Sequence, residues 1–138
     1  MVDNEVKKVF QYGTNGDGDP RTVTVASGTD IDKGTILAMT SSPRTATASS
    51  SIGQVYAGIA AADKDSTDTS VTLAAWQNGY YRMMCSGLCT IGHKLKTAGD
   101  NKVMEMNTAD MSSSLQICVG VAQQTGTNEN IEVRSTRI

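Results

Sequence analysis

A chain of 138 residues with 19% charged side chains and a net charge of −2 is one domain of common size, and nothing in that balance marks a basic surface for a nucleic acid. Aromatic residues make up 4%, too few for the stacking platforms that bases and sugars need. No apolar run approaches the roughly 20 residues of a membrane helix, so no membrane partner is expected.

The first stretch, MVDNEVKKVFQYG, has no apolar segment of the secretory kind. Its apolar residues Val6, Val9, Phe10 and Tyr12 precede GTNGDGDP, Gly13 to Pro20, a loop by composition. Residues 1–20 therefore read as an N-terminal arm and loop, with an edge strand or a frayed end as the alternative. TVTVASG follows with Val23 and Val25 on one face and Thr22 and Thr24 on the other, the period of a strand. A turn at Gly34 leads into a strand through Ile36, Leu37 and Met39. The Ser/Thr-rich excursion Ser41 to Gln54 holds one weak strand at TATA and is too polar for the core.

Val55 to Ala62 is a glycine-centred strand, DKDSTDTS a polar turn, and VTLAAW a strand ending near Trp76. Gln77 to Gly79 reads as a tight primed hairpin turn, because Asn-Gly favours positive φ. YYRMMCSG, LCTIGHKLKT, a turn at AGDN, and KVMEMNT come next; TADMSSS is polar enough for one helical turn. LQICVGVAQ, the turn TGTNEN and IEVRSTRI close the chain.

The second half repeats the first. VYAGIAAADKD, centred on Gly58, is echoed about 60 residues later by CVGVAQQTG, centred on Gly120. VASG with Gly34 is echoed by MCSG with Gly92, and Val71 to Leu73 by Ile131 to Val133. Short strands with frequent turns predict an all-β fold, a small barrel or sandwich built from a duplicated β unit. The expectation is a single β domain over residues 21–138, with repeats at about 22–76 and 80–136, preceded by the extended N-terminal arm.

Chemistry is sparse. The one histidine, His93, sits in a turn with no nucleophile motif beside it, so no catalytic role and no enzyme is expected. Cys85, Cys89 and Cys118 cannot all pair within one chain; without an export signal they are expected to be reduced thiols that pack as small hydrophobes. CSGLC lacks the CxxC chelating turn of a zinc knuckle. Asn15, Asp17 and Asp19 begin like a calcium loop, but Pro20 stands where a glycine is needed and Ala26 where a bidentate glutamate is needed. Asp63, Asp65 and Asp68 form a charged turn of the solvated kind. No metal or cofactor is therefore expected, and a structural or binding role remains.

Lys33-Gly34 with Ile36-Leu37, then AGIAAADK, a VTLA strand, Ser86-Gly87 with Ile91-Gly92, and VGVAQ with IEVR together resemble the small head-decoration, or cement, proteins of tailed bacteriophages. The likeness spans residues 22–134 in short, glycine-led words. It implies a compact, β-tulip-like barrel that trimerises on the capsid exterior at three-fold and quasi-three-fold positions. There it would bind the major capsid protein and stabilise the shell against packaged DNA. Such a protein is made in the host cytoplasm and carried on the outer surface of the virion. On this reading the arm residues Val6, Lys7, Lys8, Val9, Phe10 and Tyr12 are the expected capsid contact. Trp76, Tyr80 and Tyr81 are the expected subunit contact, or else fill a core short of aromatics. A carbohydrate- or host-surface-binding β module of a tail fibre or adhesin is the competing reading.

Overall fold

A computed structural model of the chain describes residues 4–10, 21–26, 28–67, 69–107 and 117–135. Among these there are thirteen strands, ten of which form two five-stranded units of identical topology. The first unit comprises β2 (Arg21–Thr24), β3 (Ile36–Met39), β4 (Ala46–Ala48), β5 (Tyr56–Ala60) and β6 (Thr72–Trp76), ordered β2-β6-β5-β3-β4. The second comprises β7 (Gly79–Cys85), β9 (Lys94–Gly99), β10 (Lys102–Glu105), β11 (Gly120–Ala122) and β13 (Asn130–Ser135), ordered β7-β13-β11-β9-β10. Strand for strand the two orders coincide, as a duplicated unit requires.

The second unit is a closed barrel. Five strands cannot alternate direction all the way round, so one neighbouring pair must be parallel; here it is β7 and β10, through Lys102↔Met84 and Val103↔Cys85. The first unit meets the same parity at the same place, with a parallel bridge between Thr24 and Thr45. Loop hydrogen bonds repeat too. Gly34 N–H donates to the Ala60 carbonyl at 2.9 Å and Gly92 N–H to the Ala122 carbonyl at 2.8 Å. A short pair, β8 (Leu88–Cys89) with β12 (Gly126–Thr127), corresponds to the bridge Ile31↔Lys64 in the first unit.

Two cores follow from the two units. The first is filled by small and branched residues such as Val25, Ile31, Leu37, Ala57, Ala60 and Leu73. The second holds Tyr81, Met83, Leu95, Val103, Ile131 and Val133, and it also takes in Ile36, Tyr56, Ile59 and Trp76 from the first unit. Strands β3 and β5 thus face their own core with one side and the second unit with the other. That double burial explains why the middle of the run, Tyr56–Ala60, is continuously buried and does not alternate. A fully buried Ile contributes about 1.5–3 kcal/mol, so Ile36 and Ile59 make the units interdependent.

Polar contacts fix the relative placement. The turn Asp100-Asn101 between β9 and β10 has φ of 51° and 58°, the primed geometry of a two-residue hairpin. It delivers the buried Asn101 side chain into the first unit. Its Oδ1 accepts from Ile36 N–H at 2.6 Å, and its Nδ2 donates to the carbonyls of Asn4 and Gly34, both at 2.9 Å. Tyr56 Oη lies 3.0 Å from Ser135 Oγ across the same junction, and burial pushes the phenol pKa up. The Thr97 hydroxyl, also buried, accepts from Gln54 N–H at 3.0 Å.

Three expectations need correction. Over its described residues the N-terminal segment is an edge strand and not a projecting arm. β1 (Lys7–Phe10) pairs antiparallel with β7 through Lys7↔Arg82, Lys8↔Tyr81 and Phe10↔Tyr80. Val6 just before it is 1% exposed, and its N–H donates to the Gly34 carbonyl. The segment was too short to reveal a core role in sequence because its partners lie in both units. Val6→Ala is accordingly expected to cost about 2 kcal/mol of unfolding free energy in a urea titration; a change under a few tenths would return the segment to the status of a loose end.

Gln77 to Gly79 is not a primed hairpin either. β6 and β7 do not pair with each other, since β6 lies between β2 and β5 while β7 meets β13, β10 and β1. The segment is the link between units, held by Gln77 Nε2 to the Ala57 carbonyl at 3.2 Å and Tyr81 Oη to the Asn78 carbonyl at 3.0 Å. In the Ser/Thr-rich excursion TATA does form β4, but Ala46 reaches the first core at 2% exposure. The expected helical turn at TADMSSS lies outside the described residues.

Candidate docking surface

The expected contact residues are dispersed. Val6 belongs to the core and is closed to a partner in the folded chain. Lys7 is exposed, Lys8, Val9 and Phe10 lie in β1, and Tyr12 falls outside the described residues. Of the expected subunit contact, Trp76 and Tyr81 are buried against each other with ring centroids 6.3 Å apart. Lys33 Nζ stands 5.6 Å from the Trp76 ring centre. These two fill the junction between units, so the core-filling alternative describes them; Tyr80 is half-buried.

Large apolar side chains that do reach solvent lie elsewhere: Val55 and Val71 in part, and three others more fully. Leu88 and Ile91 are 57% and 60% exposed at one end of the second unit, and Ile52 is 62% exposed beside the junction. The segment carrying Leu88 and Ile91 is firmly held. Cys85 and Cys89 are joined by a disulfide, which corrects the expectation of reduced thiols: the Ser86-Gly87-Leu88 loop folds back so that β8 lies against β12. Cys118 is free and buried, and that burial pushes its thiol pKa up. Ile91 N–H donates to Thr125 Oγ1 at 3.0 Å.

Behind Ile91, His93 Nδ1 lies 2.8 Å from Glu105 Oε2, while Glu105 Oε1 accepts from Thr90 N–H at 2.8 Å. The hydrogen bond from His93, followed by that from Thr90, holds the Glu105 carboxyl below the ordinary glutamate range. A depressed folded pKa contributes stability above the unfolded value near 4.3 and loses it as pH falls through the lower folded value. Being solvent-screened, the arrangement is worth at most a few tenths of a kcal/mol. Glu105→Gln is expected to lower the melting temperature slightly at neutral pH and to leave it unchanged well below about pH 4, so that the acid limb of the profile flattens; an equal drop at every pH would point to packing instead.

Asp63 Oδ1 accepts from Lys33 N–H at 2.7 Å and Asp65 Oδ1 from Thr67 N–H at 3.1 Å, so both brace turns. Asp68 and the loop with Asn15, Asp17 and Asp19 fall outside the described residues. Among the described residues no group of three or more His, Cys, Asp or Glu is placed to hold a metal ion. An open groove of about 520 Å³ runs along the junction, lined by Asn4, Thr35, Ser49, Ser50, Asp100 and Lys102 among others.

These features define an all-β protein of two fused units. No protein-family model matches the chain, and no curated protein does. Among solved structures, the N base of head fiber gp8.5 in bacteriophage phi29 is similar, with a TM-score of 0.53 at 10% identity. The match covers 86% of this chain and 95% of that one. At that identity the likeness is one of fold.

Proposed function

We propose that this chain is a structural protein of a bacteriophage virion, one that attaches to the outside of the head and reinforces it. The observation that carries the reading is the shared fold with the base of a phage head fiber, spanning nearly the whole of both chains. Independent support comes from the glycine-led words that resemble head-decoration proteins.

In its finer form the proposal is a cement function: a homotrimer bound to the major capsid protein at three-fold and quasi-three-fold positions of the outer surface. A ligand that binds only the assembled, expanded lattice stabilises that lattice by mass action. Three modest contacts presented together gain by avidity. Tying neighbouring capsomers opposes the pressure of packaged DNA without contact with DNA, which a net charge of −2 suits.

The test is to mix purified protein with expanded, undecorated heads, pellet them, and image the particles by cryo-electron microscopy. Protrusions at three-fold positions are the expected result. Bare heads with the protein left in the supernatant, together with retention on a glycan array, would replace the proposal with a host-surface-binding module.

A further inference from the structure

We infer that the segment from Ser86 to Ile91 is a redox-responsive lid: the fold accepts Cys85 and Cys89 both as a disulfide and as a dithiol, and the bond sets how readily the lid opens. The two residues are 1% and 0% exposed, so reagents reach the sulfurs only when the segment lifts. What holds it down is largely independent of sulfur. Gly87 N–H donates to Asn128 Oδ1 at 2.8 Å and Asn128 N–H returns a bond to the Gly87 carbonyl at 3.0 Å. Ser86 N–H donates to the Val103 carbonyl at 2.7 Å, and β8 pairs with β12 through Gly126↔Cys89 and Thr127↔Leu88.

The duplication supplies an internal control. Cys85 N–H bonds the Glu129 carbonyl as Val25 N–H bonds that of Val71, both at 2.9 Å. Cys89 pairs with Gly126 as Ile31 pairs with Lys64. The first unit therefore carries Val25 and Ile31, each 1% exposed, where the second carries the cysteines. There the same corner closes on apolar packing with no covalent bond. In the second unit the bond is an addition to a corner already able to close, and its effect falls on the lid that carries the exposed Leu88 and Ile91.

The chemistry is a two-electron exchange. A thiolate of dithiothreitol attacks one sulfur during an opening, forming a mixed disulfide. Its second thiolate then displaces that link, leaving two cysteine thiols and the cyclic oxidised reagent. Because local opening is less costly than global unfolding, the rate should follow the lid.

Native, bridged protein is treated with dithiothreitol, quenched by alkylation and analysed by mass spectrometry, alongside hydrogen exchange of both forms. The expected outcome is gradual gain of two alkylatable thiols with the circular dichroism spectrum retained, and faster exchange confined to residues 86–91. Asn128→Gly, which keeps the positive φ while removing the brace, should be reduced roughly fivefold to tenfold faster. A Cys85→Val/Cys89→Ile variant, copying the first unit, should fold and exchange like the dithiol form. Loss of the fold on reduction, or reduction of Asn128→Gly at the wild-type rate, would overturn the inference.

Discussion

Replacing Gly120 by alanine is expected to destabilise the protein by about 2–4 kcal/mol. A Cβ built there meets the backbone of β13: it collides with the Arg134 carbonyl oxygen and stands 3.0 Å from both Arg134 C and Ser135 Cα. No rotamer change relieves this, because the obstacle is β13, which cannot retreat while paired with β7 through six register positions. Gly58 occupies the matching place in the first unit, where a Cβ would come within 2.7 Å of the Trp76 carbonyl and φ is 139°. Gly58→Ala should therefore cost at least as much, adding backbone strain to the collision. Gly53→Ala is the control, with φ of 74° but nothing within 4 Å of the added carbon; it should cost about 1 kcal/mol. Equilibrium urea unfolding of the three variants separates collision from strain, and a Gly120→Ala cost no larger than that of Gly53→Ala would show that β13 can shift.

The second large effect is expected at Asn101. Asn101→Gly keeps the positive φ and removes two buried hydrogen bonds and one half-buried one, leaving Ile36 N–H without this acceptor; a loss of about 2–3 kcal/mol follows. Asn101→Asp has nearly the same shape yet turns acceptor oxygen toward the Asn4 and Gly34 carbonyls. It should cost more, about 3–5 kcal/mol at neutral pH. Burial raises the pKa of the introduced carboxyl, so the charged form carries the penalty. The extra cost is then absent below about pH 4 and grows as pH rises through the raised folded value. Thermal melts of both variants at pH 4 and pH 7 check the order, and a pH-independent difference would count against this account.

Much of the architecture was legible because repetition amplifies weak signals. Gly58 and Gly120 mark middle strands whose flatness admits a neighbouring carbonyl, and the shared spacing of their surroundings exposed the duplication before any contact was known. Residues joining the two units were opaque for the complementary reason. Asn101 is one asparagine in a turn, ordinary until its side chain is seen bonding two backbone groups of the first unit and the Asn4 carbonyl of the N-terminal segment. Trp76 and Tyr81 offered equal grounds for interface and core, and only the packing of one unit on the other decides between them. Val6 looked stranded because its neighbours are distant in sequence. The Cys85–Cys89 bond was hidden by a general expectation about compartment, which spacing alone could not overrule.

The parity of the second barrel has a mechanical consequence. Its circumference is unevenly fastened: β7 is held by β13 along six register pairs and by β10 along two. β11 also has two pairs with each neighbour, but bonds such as Gly92 N–H to Ala122, Val119 N–H to Leu95, Gln123 N–H to Glu132 and Ser135 Oγ to Val119 reinforce those joints, whereas β7–β10 gains Ser86 N–H to the Val103 carbonyl. A tube sewn this way has a seam. Under tension, or in thermal breathing, it should part first between Met84 and Lys102, with the long antiparallel side acting as the hinge. The Asn101 side chain, one residue before that seam, is the stitch that keeps its end from running.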